Sequence, residues 1–140
     1  MTIRYRLLSL ADAAVLLNVA DDVFDEPIVP ERALAYLADT TNLMMVAIDG
    51  DIVVGQCAAV IHRHADRATE LYVENLGVAP SHRRRGIGRE LVARMFEAGR
   101  ARGCREAWVG TEPDNDPANR LYEAFDGEPA EAFNLYLYRL

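Results

Sequence analysis

No lysine occurs anywhere in the 140 residues; all fifteen basic side chains are arginine. A Gly-Lys-Ser/Thr phosphate loop is therefore excluded at once. Cysteine is nearly as scarce. Cys57 and Cys104 form no C-x-x-C pair, and two such distant thiols read as buried small hydrophobes rather than a bridge. No apolar run approaches the roughly 20 residues that span a bilayer. The start, "MTIRYRLLSL", lacks the long apolar stretch and small-residue cleavage site of a signal peptide. Repeats, linkers and low-complexity tracts are missing too. These absences lead us to expect a cytoplasmic protein with no membrane partner, folded as a single domain over residues 1–140.

What is present is material for a core and an uneven charge. Hydrophobic residues make up 51% of the chain, and a chain of this length buries about two-thirds of the surface it exposes when unfolded. The net charge is −7, but it is not spread evenly. Residues 1–82 carry five arginines and twelve acids, residues 83–105 eight arginines and two acids, and residues 106–140 two arginines and eight acids. A basic island on an acidic protein fits a confined anionic ligand; a long polyanion would be repelled by the rest of the surface. Nucleic acid is not an expected partner.

Periodicity predicts a strand over 3–9 and an amphipathic helix over 9–24 with Ser9 as its N-cap. A short helix follows, with Pro30 in its first turn. Residues 43–63 read as a hairpin turning at Asp49-Gly50-Asp51, and residues 68–78 as the next strand. A helix from Gly86 closes at Gly103. After it come a strand over 105–111, a helix over 116–125 and an alternating final strand over 132–140. The order β-α-α-β-β-β-α-β-α-β implies a mixed α/β sheet, antiparallel at first and gaining parallel pairs later.

The basic island sits at one junction, "VENLGVAPSHRRRGIGRELV", residues 73–92. Gly86 and Gly88 fall in the first turn of a helix, where backbone N–H groups lack partners within the helix. Together with the positive end of the helix dipole they make an anion site. Glycine lets phosphate oxygens approach without a Cβ in the way, and Arg83, Arg84 and Arg85 add charge beside the same spot. Two linked phosphates fit this arrangement. A dinucleotide fingerprint would need a third glycine at position 91, where Leu91 stands. A solvated basic run is the alternative reading of the arginines.

The R-x-x-G-x-G pattern, between a strand ending in "LGV" and a helix, resembles the acetyl-CoA-binding motif of the GNAT acyltransferase superfamily. "NDPANRLYEAF" resembles a later segment of the same family, in which an Asn precedes a helix and a Tyr follows seven residues on, here Asn115 and Tyr122. The resemblance covers most of the chain and is strongest over Tyr72–Phe125. It implies a GNAT fold, α/β with a central mixed sheet of six to seven strands flanked by about four helices, and an N-acetyltransferase that uses acetyl-CoA as co-substrate. By the same resemblance the backbone of Leu76, Gly77 and Val78 pairs with the pantetheine arm. The stretch Arg84, Arg85, Gly86, Ile87, Gly88 and Arg89, with Arg83 beside it, holds the pyrophosphate. Asn115 and Asn119 contact the cofactor arm, and Tyr122 donates a proton to the departing sulfur. Asn115 as a plain helix cap and Tyr122 as a core aromatic are the alternatives. Glu74 is the expected base, since partial burial would raise its pKa; Glu70 and Glu112 compete with it, and a solvated strand carboxylate is the other reading.

The stretch "ADDVFDEP" places Asp21, Asp22, Asp25 and Glu26 near the end of the first predicted helix, a region that in GNAT folds helps wall the acceptor site. With Glu112 these carboxylates suit a polycationic amine; a solvated helix end is the alternative. The "HRR-GI" and "DPA…LY" patterns also resemble the aminoglycoside 3-N-acetyltransferase branch. The expected acceptor is thus a small-molecule cationic amine such as an aminoglycoside, with a homodimer allowed for. A peptide or protein N-terminus or lysine, and a non-catalytic acyl-CoA sensor, are the alternatives. One departure is that "FDGEP" replaces the family's Leu-Gly-aromatic step after Tyr122. His62-x-His64 puts two imidazoles on one strand face, but no third ligand stands at a convincing spacing, so no metal is expected.

Overall fold

In a computed structural model describing residues 2–140, the alternating segments become strands of one sheet. They are β1 (Ile3–Leu7), β2 (Asn42–Asp49), β3 (Ile52–His62), β4 (Glu70–Val78) and β5 (Glu106–Val109), laid side by side in chain order. β1 to β4 are antiparallel, and β5 joins β4 in parallel. Gly50, at φ +65°, makes the turn between β2 and β3. The helices are α1 (Pro30–Ala38), α2 (Ile87–Ala101) and α3 (Asp116–Glu123), and 3-10 segments at Leu10–Leu17 and Pro80–His82 precede α1 and α2. The chain divides into two compact units, one ending at Gly110 and the other Thr111–Leu140. Among the described residues no helix is long and apolar enough to cross a membrane.

In the first unit β2 and β3 are buried almost throughout, as strands covered on both faces must be. α2 supplies part of the cover. Its apolar stripe Ile87, Leu91, Val92 and Met95 is buried. Two glycines set how closely it lies. A Cβ at Gly55 would stand 3.1 Å from Leu91 Cδ1 and 3.2 Å from Ile87 Cγ2, and one at Gly99 would stand 2.9 Å from Leu71 Cδ2.

Two expectations are corrected. The first predicted helix is a 3-10 segment that ends at Leu17 and does not continue to Phe24. The Asp12 carboxylate accepts the Ser9 backbone N–H at 2.9 Å to start it. Beyond Leu17 the backbone turns to the sheet: Val53 N–H donates to Asn18 O and Ala20 N–H to Val53 O, both at 2.9 Å. Once those groups are taken by β3 they cannot continue a helix. The sheet has five strands rather than six to seven, because residues 132–140 form none. Phe133, Leu135, Tyr136, Leu137 and Tyr138 stand exposed along that segment.

Candidate active site

β4 pairs with β3 along its length but with β5 only over Glu70–Val73. Among the described residues, no strand lies on that side of β4 from Glu74 to Val78. The backbone N–H and C=O groups there need partners, and an extended chain with amides of its own meets that need. The Leu76-Gly77-Val78 stretch expected to hold a pantetheine arm is the end of this edge.

A register slip lies at the start of the same edge. Ala58 faces Asn75 and Ala59 faces Val73, so Glu74 is the additional residue of a β-bulge. Such bulges re-aim one side chain out of the regular alternation. Glu74 is exposed. Burial chiefly, and the Glu74 charge after it, push the Tyr36 phenol above its ordinary range, and the Tyr36 hydroxyl donates to the Leu43 carbonyl at 2.8 Å.

Gly77 is needed for a close approach. A Cβ there would fall 2.0 Å from Val23 O, so only glycine lets the loop after the first 3-10 segment lie against β4. A buried amide holds the loop in place. Gln56 Nε2 donates to Val23 O at 3.2 Å and to Asn75 Oδ1 at 3.1 Å. The Asn75 amide in turn donates to Asp25 Oδ2 at 3.4 Å. The relay runs from the core to the acidic stretch and orients Asp25. Asp21, Asp22, Asp25 and Glu26 are all exposed, on this loop rather than at a helix end. Gln56 and Asn75 were missed in the sequence; the available signal was one amide inside the apolar run "VVGQCAAVI".

Past Val78 the chain turns through Pro80–His82 into the arginine run. Ala79 N–H donates to Val54 O at 2.8 Å. His82 anchors the turn, with Nε2 2.8 Å from Asp49 Oδ2 and Nδ1 2.7 Å from Ser81 Oγ. Arg83 Nε donates back to Val78 O at 3.2 Å. Arg84 and Gly86 adopt left-handed conformations at φ +63° and +77°. Gly86 is the N-cap of α2, and no side chain caps that end. The N–H groups of Ile87, Gly88 and Arg89 therefore lack partners within the helix. A Cβ at Gly86 would meet no protein atom within 4 Å, so the space before the turn is open. With Arg83, Arg84, Arg85 and Arg89 all exposed around it, this is a cradle of the right charge and donor set for a pyrophosphate.

In the second unit, Asn115 Oδ1 accepts the Ala118 N–H at 3.2 Å and so caps α3. Asn119 Nδ2 donates to Asn115 O at 2.8 Å and to Glu112 O at 3.0 Å. Both amides thus have a local task at the start of α3. Tyr122 is half-buried on the same helix, and Glu112 is exposed.

Glu70, weighed as a competing base, begins β4 at the end opposite Leu76–Val78. Burial would raise its pKa, but the contacts from His64 and Arg67 outweigh that and hold it below the ordinary carboxylate range. A cleft of about 460 Å³ opens at that end, lined by His62, Arg67, Glu70, Tyr72, Glu106 and Trp108.

The pattern of the Acetyltransferase (GNAT) family matches residues 13–127. The chain is 28% identical over 114 residues to the aminoglycoside N(6′)-acetyltransferase type 1 of Salmonella typhimurium, a match covering 73% of this chain and 78% of that one. It is 34% identical over 85 residues to the streptothricin acetyltransferase of Streptomyces lavendulae, covering 61% of this chain and 43% of that one. In structure it superposes on an aminoglycoside acetyltransferase from an uncultured soil metagenomic sample, crystallised with trehalose. The TM-score is 0.85 at 18% identity, over 99% of this chain and 96% of that one. The aminoglycoside relative is of the N(6′) type, near the 3-N branch that the motifs resembled. The open edge of β4 and the arginine-ringed start of α2 both lie within the matched residues, and the chain belongs to the acetyltransferase (GNAT) family.

Proposed function

We propose that the chain acetylates a primary amine of a small polycationic acceptor, with an aminoglycoside as the favoured class. The observation that carries this reading is the unpaired half of β4 running into the open N-terminus of α2. When bound, acetyl-CoA supplies the acyl group as an activated thioester. Leu76, Gly77 and Val78 hold its arm by backbone pairing, and the Arg83–Arg89 turn holds its pyrophosphate. Direct transfer needs no covalent enzyme intermediate; holding the two reactants together contributes much of the acceleration. Glu74, set off by its bulge, takes the proton that the amine loses. On the family pattern, Tyr122 returns a proton to the sulfur, and Asn115 and Asn119 face the cofactor arm. Asp22, Asp25 and Glu26 attract the cationic acceptor, and Glu112 is an acidic candidate for the same role.

Support for the acceptor class comes from the four exposed carboxylates of residues 21–26 and from the two antibiotic acetyltransferases among the relatives. A cytoplasmic location goes with this reading. So does a homodimer, in which the exposed alternating segment 132–140 adds to the sheet of a second copy. The test is a CoA-release screen over aminoglycosides, streptothricin, polyamines, amino acids and peptides. Turnover is expected with the polycations. Turnover confined to neutral peptides would replace the acceptor class with a peptide N-terminus. No turnover, with acetyl-CoA still bound, would leave an acyl-CoA sensor.

A further inference from the structure

The end of the sheet remote from the cofactor edge carries a second cluster. His62 closes β3 and stands directly opposite Glu70, the first residue of β4, in the antiparallel register. His64 lies two residues on. One ring nitrogen from each histidine and one oxygen of Glu70 all lie within 4.8 Å of one another. The spacing argument against a metal fails here because the third ligand arrives across the strand pair, not along the chain.

The geometry of His64 points to a ligand. Its side chain is 10% exposed and that of Glu70 12%, with His64 Nε2 3.1 Å from Glu70 Oε2. Nε2 is nonetheless buried without a hydrogen-bond partner, so the nitrogen lies beside the carboxylate and is not aimed at it. Two donor atoms about 3.3 Å apart are what a tetrahedral ion with bonds near 2.0–2.1 Å requires. Arg67 Nε donates to Glu70 Oε1 at 3.2 Å, which fixes the carboxylate and leaves Oε2 for the cluster. Outer-sphere partners of this kind orient metal ligands. The His62 ring lies 4.1 Å from that of His64, centre to centre, and tilted by 41°. His62 is exposed, and a rotation of its ring toward His64 and Glu70 would close the triad. The cleft lined by His62, Glu70 and Glu106 opens beside the cluster, so an ion has a way in.

We propose that His62, His64 and Glu70 form a binding site for a divalent late transition-metal ion of the zinc class, clamping the β3–β4 connection. Two imidazoles and one carboxylate select such an ion over magnesium or calcium, which prefer all-oxygen ligands. With three protein ligands, the fourth position faces the cleft and takes water. The site lies at the opposite end of β4 from Leu76–Val78 and takes no part in acyl transfer.

The test is calorimetric titration of zinc chloride into chelator-treated, untagged protein, with thermal melting alongside. One ion per chain and a higher melting temperature are expected, because the assembled triad of the folded state binds the ion more tightly than the unfolded chain does. Magnesium and calcium should leave both unchanged. Cobalt(II) should show the intense visible bands of a four-coordinate ion. His64→Ala should abolish uptake and His62→Ala should weaken it at least tenfold, while His82→Ala leaves it intact. Should His64→Ala not fold, His62→Ala at the exposed strand end decides. The absence of saturable one-to-one uptake, or uptake that His62→Ala leaves unchanged, would overturn the site.

Discussion

At the scale of single residues the proposed cofactor cradle turns on Gly86, which combines a left-handed φ of +77° with open space before it. Acetyl-CoA should raise the melting temperature of the wild type, since it binds only the folded chain. Arg84→Ala should shrink that shift. Gly86→Val should nearly abolish it, by straining the turn and by placing methyl groups where phosphate oxygens approach. A wild-type melting temperature unmoved by millimolar acetyl-CoA would overturn the cradle. Tyr122→Phe should keep the shift yet lower turnover by roughly 10²- to 10⁴-fold, the usual contribution of acid–base help; full activity in the variant would remove Tyr122 from the reaction. Both cysteines are buried. Burial pushes the Cys57 thiol up to about 12 and raises that of Cys104 as well. Neither should react with a thiol reagent at neutral pH in the native protein, and both should react after unfolding; rapid native labelling would show the burial to be wrong. The arginine-glycine turn before α2 was legible in the sequence because glycine, arginine and a helix start fall within six residues. The Gln56–Asn75–Asp25 relay was not, since its partners lie 19 and 50 positions apart and meet only once the register is set.

At the scale of elements β4 has two kinds of edge, paired up to Val73 and open beyond it. Its order in the chain and its length could be read from alternation. The bulge at Glu74 could not: a one-residue slip changes which side chains face the core, and nothing local announces it. The same limit hid Glu70 from His62, since facing positions across two strands depend on the turn between them. The final predicted strand failed for a different reason. Alternation supplies a strand's two faces but not a neighbour to bond with, and among the described residues 132–140 form no strand. Gly77 offers a direct test of how the elements fit. Gly77→Ala would press a methyl group onto Val23 O, 2.0 Å away, and overpacking of this kind costs about 1–3 kcal/mol. Chemical denaturation should show that loss, with weaker acceptor binding as the 18–26 loop is pushed off β4. A variant as stable as the wild type would mean that the loop moves freely.

At the scale of the molecule, charge separates the basic island at residues 83–105 from the acid on either side of it. If the loop carboxylates draw in a polycation, kcat/KM for that substrate should fall steeply as salt rises. The Debye length is only about 8 Å at physiological ionic strength. A monoamine should respond less. Asp25→Asn with Glu26→Gln should flatten the polycation's salt dependence and raise its KM, leaving acetyl-CoA binding unchanged; identical salt profiles for the two amines would refute the attraction. Light scattering should find a dimer that Leu135→Asp with Leu137→Asp converts to a monomer, and a wild-type monomer would dismiss the strand addition. The two glycines at the contact between α2 and the sheet, Gly55 on β3 and Gly99 on α2, have a consequence for motion. Gly55 seats the helix near Leu91 and Gly99 seats it on Leu71, so α2 is bolted to the sheet near both ends and cannot slide to admit a ligand. Opening must come from the turn before it. Amide hydrogens along the body of α2 should then exchange slowly with or without acetyl-CoA, and the protection gained on binding should fall on residues 76–78 and 83–89.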